Sequence, residues 1–145
     1  MKTVVTGSAS ETTELGRAYG TTLQPGAVVA LFGELGSGKT QFVKGICSGT
    51  GSDARVTSPT FTLINEYPAP FGIVAHVDLY RIESEAELRG IGLESYYRDS
   101  CMCVIEWAER ALNILPAGYR WVRLAHGASE RERVVTIGDE GETPQ

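Results

Sequence analysis

Ala27-Val28-Val29-Ala30-Leu31-Phe32 runs directly into Gly33-Glu34-Leu35-Gly36-Ser37-Gly38-Lys39-Thr40, and then into Gln41-Phe42-Val43-Lys44-Gly45-Ile46. The first segment is wholly apolar and reads as a parallel strand buried on both faces. The second fits Gly-x-x-x-x-Gly-Lys-Ser/Thr, the P-loop pattern. The third places Phe42, Val43 and Ile46 on one helical face. Strand, glycine-rich loop, helix is the context in which that pattern cradles a phosphate chain.

Each fixed position has a physical task. Phosphate oxygens accept backbone N–H groups only where no Cβ intrudes and the chain can turn through positive φ, which suits Gly33, Gly36 and Gly38. The helix that follows aims its free N–H groups and positive dipole end at the same anions. Lys39 supplies a mobile cation for the β- and γ-phosphates, and the Thr40 hydroxyl reaches an accompanying Mg²⁺. The residues expected along the nucleotide are those of the motif, Gly33, Glu34, Leu35, Gly36, Ser37, Gly38, Lys39 and Thr40.

The whole chain bounds what surrounds this unit. Its 145 residues make one domain of ordinary size, with 42% hydrophobic content near the globular norm. We expect a P-loop domain over 1–138 and an acidic, mobile tail over 139–145. The net charge of −5 argues against a large basic face and strong nucleic-acid binding by this chain alone. No apolar run is long enough to span a bilayer, and Met1-Lys2-Thr3-Val4-Val5-Thr6 turns polar too early for a signal peptide. Three cysteines, an odd number, fit free thiols in a reducing cytoplasm, and no second Cys or His pair is spaced to complete a metal site.

Working outward, Ser10 is expected to cap a first helix over about Thr12 to Leu23, weakened at Gly20 and stopped by Pro25-Gly26. Phe61 to Tyr67 alternates as a half-buried strand, Pro68 to Gly72 reads as a turn, and Ile73 to Asp78 as a second strand, giving an antiparallel hairpin. Ser84 to Leu88 starts a short acidic helix and Leu93 to Arg98 a second. Cys101-Met102-Cys103-Val104-Ile105-Glu106 is apolar until its last residue, as a central parallel strand is. Ala108 to Leu115 reads as a helix ended by Pro116. Arg120 to Leu124 and Arg133 to Ile137 alternate and pair at one sheet edge. The expected fold is a three-layer α/β P-loop arrangement, its central sheet mostly parallel with antiparallel edge strands, and its ligand at the carboxyl ends of the strands.

A P-loop needs further groups to hydrolyse what it binds: a carboxylate for Mg²⁺ and a group that orients water or an acceptor hydroxyl. Glu106, emerging at the end of an apolar strand, is the first candidate. Asp78 also ends a strand, and on physics alone it is equally a turn former. His76 alternates in phase with Asp78 and shares its face, though a lone His is more often structural. Arg81 either balances phosphate charge or is a surface cation. Thr57-Ser58-Pro59-Thr60-Phe61 is open to two readings, a γ-phosphate-sensing switch or an ordinary turn.

Together these motifs resemble one family, the bacterial TsaE (YjeE) ATPases. Its members carry a P-loop like Gly33 to Thr40, then a segment like Ser58-Pro59-Thr60. A block like His76-Val77-Asp78-Leu79-Tyr80-Arg81 and a pair like Glu106-Trp107 follow, in the order seen here. The resemblance covers about Thr12 to Ala108. It implies a small cytoplasmic Mg²⁺-dependent ATPase that works with the TsaB and TsaD proteins and meets tRNA only through that complex. The process served is threonylcarbamoylation of N6 of adenosine 37 in tRNAs reading codons that begin with A. The family member is not the transferase; its hydrolysis of ATP resets the partners between turnovers. By the same resemblance Thr40 and Glu106 are Mg²⁺ ligands, the loop from Gly36 to Gln41 holds the phosphates, and Thr12 touches the nucleotide. Lys39, Asp78 and Glu106 carry hydrolysis, and Trp107 lies near the pocket. The residues themselves do not single out a surface for TsaB or TsaD; segments 57–61 and 83–94 are the two candidates.

Three rival readings use the same loop. A small P-loop kinase needs an acceptor pocket and an Arg-bearing lid, and no Arg-rich insertion appears. A GTP switch needs an Asn-Lys-x-Asp segment, and neither Lys2, Lys39 nor Lys44 lies in one. A module that only binds nucleotide uses the same residues as a slow ATPase, and turnover with and without partners separates the two.

Overall fold

The computed structural model describes residues 1–138 together with Glu142 and Pro144. The tail expected over 139–145 lies, those two residues apart, outside the described residues. Seven strands form one sheet in the order β1-β7-β6-β2-β5-β4-β3. They are β1 (Lys2–Thr6), β2 (Val28–Phe32), β3 (Ile64–Ala69), β4 (Gly72–Asp78), β5 (Cys101–Glu106), β6 (Arg120–His126) and β7 (Arg133–Ile137). The central run β6-β2-β5-β4 is parallel, whereas β1, β7 and β3 join antiparallel. The α/β fold with antiparallel margins matches the expectation. β2 and β5 are buried at every position, as their unbroken apolar sequences demand.

Side-chain alternation divides these strands between two cores. Val29, Leu31, Val74, Met102 and Val104 face helices α1 (Ala9–Gly20) and α2 (Lys39–Gly49). Val28, Ala30, Ala75, Cys103 and Ile105 face the other layer, built from α3 (Glu85–Ile91) and two 3₁₀ segments, Leu93–Tyr96 and Ala108–Ile114. Cys47, Cys101 and Cys103 are free and buried, and burial pushes the Cys47 thiol up to about 12. No helix among the described residues is long and apolar enough to cross a membrane.

Several local expectations are corrected. β1 was not foreseen; it pairs with β7 and takes the sheet edge, so the β6–β7 pair lies inside the sheet, with β6 alongside β2. The first helix is capped by Ser8, not Ser10. The Ser8 hydroxyl accepts the Glu11 N–H while the Glu11 carboxylate accepts the Gly7 N–H, so Ser8 to Glu11 works as a capping box. That helix ends at Gly20. Gly16 and Gly20 face Gly45 and Ile46 of α2 so closely that a Cβ at Gly20 would lie 2.5 Å from the Ile46 carbonyl oxygen. β3 starts at Ile64 because Thr62 and Leu63 instead bond back to the Pro59 carbonyl, with Leu63 at φ 70°. Pro68 and Ala69 belong to β3, an edge strand that tolerates a proline. The segments expected as helices over 93–98 and 108–115 are 3₁₀, the second bent at Ala111.

Candidate functional site

The site forms where β2, β4 and β5 end. Register pairs Leu31 with Glu106 and Asp78 with Glu106, so the three C-termini arrive at one level. His76, Asp78 and Glu106 fall on the same alternation as Val74, Met102 and Val104, the face covered by α2. Because α2 starts at Lys39, that alternation carries both acids to the mouth of the glycine-rich loop. This is the crevice outside the carboxyl ends of the strands, where open α/β sheets bind ligands.

The loop itself is shaped for an anion. Gly36 and Gly38 stand at φ 76° and 99°, a left-handed conformation that side chains resist. Gly38 is the N-cap of α2 and offers no side-chain acceptor, so the first N–H groups of the helix are left for a ligand. The Ser37 hydroxyl is buried without a partner among the described residues. Lys39 is buried, and its ammonium donates to the carbonyls of Gly33 and Glu34, the latter at 3.0 Å. It also lies 4.2 Å from the centre of the Trp107 ring, which Tyr80 flanks at 5.0 Å. Trp107 follows Glu106 at φ 58°, a left-handed turn for a bulky side chain and a strained one. Burial pushes the Lys39 ammonium below its usual range; the carboxylates of Glu106, Glu109, Asp78 and Glu34 pull it back up.

A cavity of about 200 Å³ lies on one side of the loop, lined by Gly38, Lys39, Thr40, Thr60, Asp78 and Glu106 among others. Within it the Thr40 hydroxyl donates to Glu106 Oε2 at 3.4 Å. His76 Nε2 meets the same oxygen from beneath at 2.5 Å. Asp78 Oδ1 accepts the Tyr80 N–H at 2.8 Å and Oδ2 accepts the Thr60 hydroxyl at 3.0 Å. Since a carboxylate only accepts, Thr60 spends its proton on Asp78, and the Ser58 hydroxyl, 2.8 Å away, donates to Thr60. The Ser58-Pro59-Thr60 segment is therefore wired to Asp78.

A second cavity, about 580 Å³, lies on the other side of the loop against α1 and the β6–β7 turn. Ser8, Thr12, Gln41, Arg131 and Arg133 line it. Arg133 donates to the Gly36 carbonyl at 3.2 Å, tying the loop to a strand ninety-seven residues away. A third hollow, about 610 Å³, lies away from the loop between α3 and the second 3₁₀ segment, and carries Glu83, Glu85 and Glu109.

The expected site residues separate into groups. Lys39, Thr40, Asp78 and Glu106 converge, and Gly33, Gly36, Ser37, Gly38 and Gln41 form or flank the loop. Glu34 contributes its backbone carbonyl, and the Leu35 side chain is 70% exposed at the loop tip. Thr12 lines the second cavity, but its hydroxyl is held by Thr6 Oγ1 at 2.7 Å and the Ser8 carbonyl at 3.2 Å. Arg81 stacks near the exposed Phe61 ring and does not line either cavity beside the loop. Two residues were missed or undervalued. His76 announced itself by its phase with Asp78 and its place in the His76–Arg81 block, but neither gave it a role. Arg133 has no local signal, since only the fold brings it to Gly36.

The donor chemistry fits Mg²⁺ with a polyphosphate. Two buried carboxylates and hydroxyl oxygens surround the cavity, and hard oxygen donors suit that cation. No group of three or more His, Cys, Asp or Glu able to hold a metal exists among the described residues.

Comparison with known proteins identifies relatives of the chain. A family model described as threonylcarbamoyl adenosine biosynthesis protein TsaE matches residues 6–135. The tRNA threonylcarbamoyladenosine biosynthesis protein TsaE of Treponema pallidum is 41% identical over 112 residues, 77% of this chain and 82% of that protein. The protein of the same name from Bacillus subtilis is 39% identical over 127 residues, 88% of this chain and 78% of that protein. The crystal structure of Bacillus subtilis YdiB superposes with a TM-score of 0.75 at 30% identity, covering 94% of this chain and 83% of that one. The match runs from the last residue of β1 into β7, through every strand that shapes the site, and the chain belongs to the TsaE family.

Proposed function

We propose that this chain is an Mg²⁺-dependent ATPase that serves threonylcarbamoylation of N6 of adenosine 37 in tRNAs reading codons that begin with A. It acts on the TsaB–TsaD complex in the cytoplasm and is not itself the transferase. The pathway is supported by the names of the relatives. The activity is supported by one observation above all: Thr40 of the loop lies within hydrogen-bond reach of Glu106, with Asp78 lining the same cavity.

The chain's own groups divide the work. The N–H groups at the start of α2 and the Lys39 ammonium bind and orient the phosphates. For Lys39 this means leaving the Gly33 and Glu34 carbonyls for phosphate oxygens. Thr40 and Glu106 would hold Mg²⁺, which would supply charge neutralisation on the terminal phosphates. Asp78, already an acceptor for Thr60, is placed to accept a hydrogen bond from an attacking water and so orient it. The wire from Ser58 through Thr60 makes that acceptor sensitive to the position of the 58–60 segment. The Trp107 ring covers Lys39 and is itself flanked by Tyr80.

The test is reconstitution with purified TsaB, TsaD and tRNA, following phosphate release and the modified nucleoside by mass spectrometry. We expect slow hydrolysis by the chain alone, altered by the partners, and loss of both signals in Lys39→Ala and Glu106→Ala. Full activity in both variants sinks the proposal. A phosphorylated small acceptor in place of free phosphate replaces it with the kinase reading.

A further inference from the structure

His76 is completely buried, yet only one of its ring nitrogens is used. Nε2 contacts Glu106 Oε2 at 2.5 Å, and Nδ1 has no partner among the described residues. A polar ring in the core without full pairing costs stability, so its retention asks for a reason. The surroundings narrow that reason. On β4 it stands opposite Val104 of β5 and Asn65 of β3, and the Tyr67 ring is tilted 6.3 Å away. The single strong contact is the one to Glu106.

That contact has a directional consequence. The carboxylate accepts, so Nε2 donates its proton to Oε2. The Thr40 hydroxyl reaches the same oxygen. Both hydrogen bonds thus fall on Oε2, and Oε1 is left as the oxygen without a protein donor among the described residues. Glu106 is 3% exposed and lines the cavity beside the loop. A glutamate has three rotatable bonds, and without the imidazole its carboxylate keeps only the longer Thr40 contact to fix its orientation.

We propose that His76 is a positioning residue that pins Glu106 by Oε2, fixes the orientation of its carboxylate at the cavity, and thereby sets the affinity for the divalent cation that accompanies the nucleotide. This rests on Glu106 being a ligand of that cation, as proposed above. Hydrogen-bonding partners that orient a metal ligand change metal affinity by roughly 10- to 100-fold when removed.

The experiment titrates Mg²⁺ into protein holding a fluorescent ATP analogue, and separately measures affinity for that analogue in EDTA. His76→Met keeps side-chain bulk but removes the donor; His76→Gln keeps an N–H donor. We expect His76→Met to raise the half-saturating Mg²⁺ by roughly 10- to 100-fold, with metal-free affinity within about threefold of wild type, and His76→Gln to recover most of the loss. An unchanged Mg²⁺ midpoint in His76→Met overturns the inference, as does an equal loss of affinity with and without Mg²⁺. Glu106→Gln in the same titration separates the two layers. If it leaves the midpoint unmoved, the ligand assignment fails; if it shifts while His76→Met does not, only the positioning role fails. Should both His76 variants unfold, wild-type protein labelled with ¹⁵N-histidine decides. The His76 Nε2 resonance is expected to move when Mg²⁺ joins the bound analogue, and a resonance that stays put overturns the proposal.

Discussion

Asp78 shows how much of this site turns on single atoms. Both of its oxygens already accept hydrogen bonds, from Tyr80 N–H and the Thr60 hydroxyl. Asp78→Asn keeps the shape and can keep the Tyr80 contact through its remaining oxygen, but it loses the charge that orients water. A positioned general base is worth roughly 10²- to 10⁴-fold, so phosphate release by Asp78→Asn is expected to fall by about that factor. Its affinity for a fluorescent ATP analogue should change little, which an equilibrium titration checks. A fall in affinity as large as the fall in rate would mean that Asp78 serves binding instead. Arg81 carries the opposite lesson. It stands three residues from Asp78 in the same motif, yet its guanidinium lies against the Phe61 ring.

At the scale of elements, Gly20, expected to weaken the first helix, is one of the glycines that let it dock. Gly16 and Gly20 of α1 and Gly45 and Gly49 of α2 lie on the contact between the two helices. A Cβ on Gly45 would be driven into the Thr13 carbonyl oxygen, and one on Gly16 into that of Phe42. Alanine raises helix propensity by about 1 kcal/mol over glycine, but here it forces the helices apart, and overpacking of this kind costs about 1–3 kcal/mol. Gly45→Ala is expected to be destabilised on balance, with a lower urea midpoint and an unchanged slope. Because α2 also carries Lys39 and Thr40 on its first turn, the same variant should weaken binding of the nucleotide analogue. A stabilised Gly45→Ala would show that the helices have room to separate. Sequence periodicity identified the helices but not this contact, because a glycine's penalty is local and its close approach is not.

For the whole molecule, the site is a seam between distant parts of the chain: loop 33–40, the ends of β4 and β5, and the start of β7 through Arg133. Ligand that bridges such parts stabilises the fold as a unit. At a hundred times its Kd, a non-hydrolysable ATP analogue with Mg²⁺ adds about 2.7 kcal/mol, or about 5–10 °C in Tm for a domain of this size. Scanning calorimetry is expected to show that rise, to show a smaller one in EDTA, and to show no Mg²⁺ increment in Glu106→Gln. A shift equal in EDTA and Mg²⁺ would remove Glu106 and Thr40 from the cation's coordination. The sequence by itself determined the strand–loop–helix unit, the two buried parallel strands β2 and β5, the β3–β4 hairpin, and the candidates Lys39, Thr40, Asp78 and Glu106. These signals are local, written in apolar runs, alternation and glycine spacing. Only the tertiary structure decided that β1 closes the sheet, that Ser58 and Thr60 are wired to Asp78, that Arg133 ties down Gly36, and that His76 grips Glu106. Each of those depends on strand register or on contacts between residues far apart in the chain, and a one-residue slip in register would turn His76 and both acids to the opposite face of the sheet.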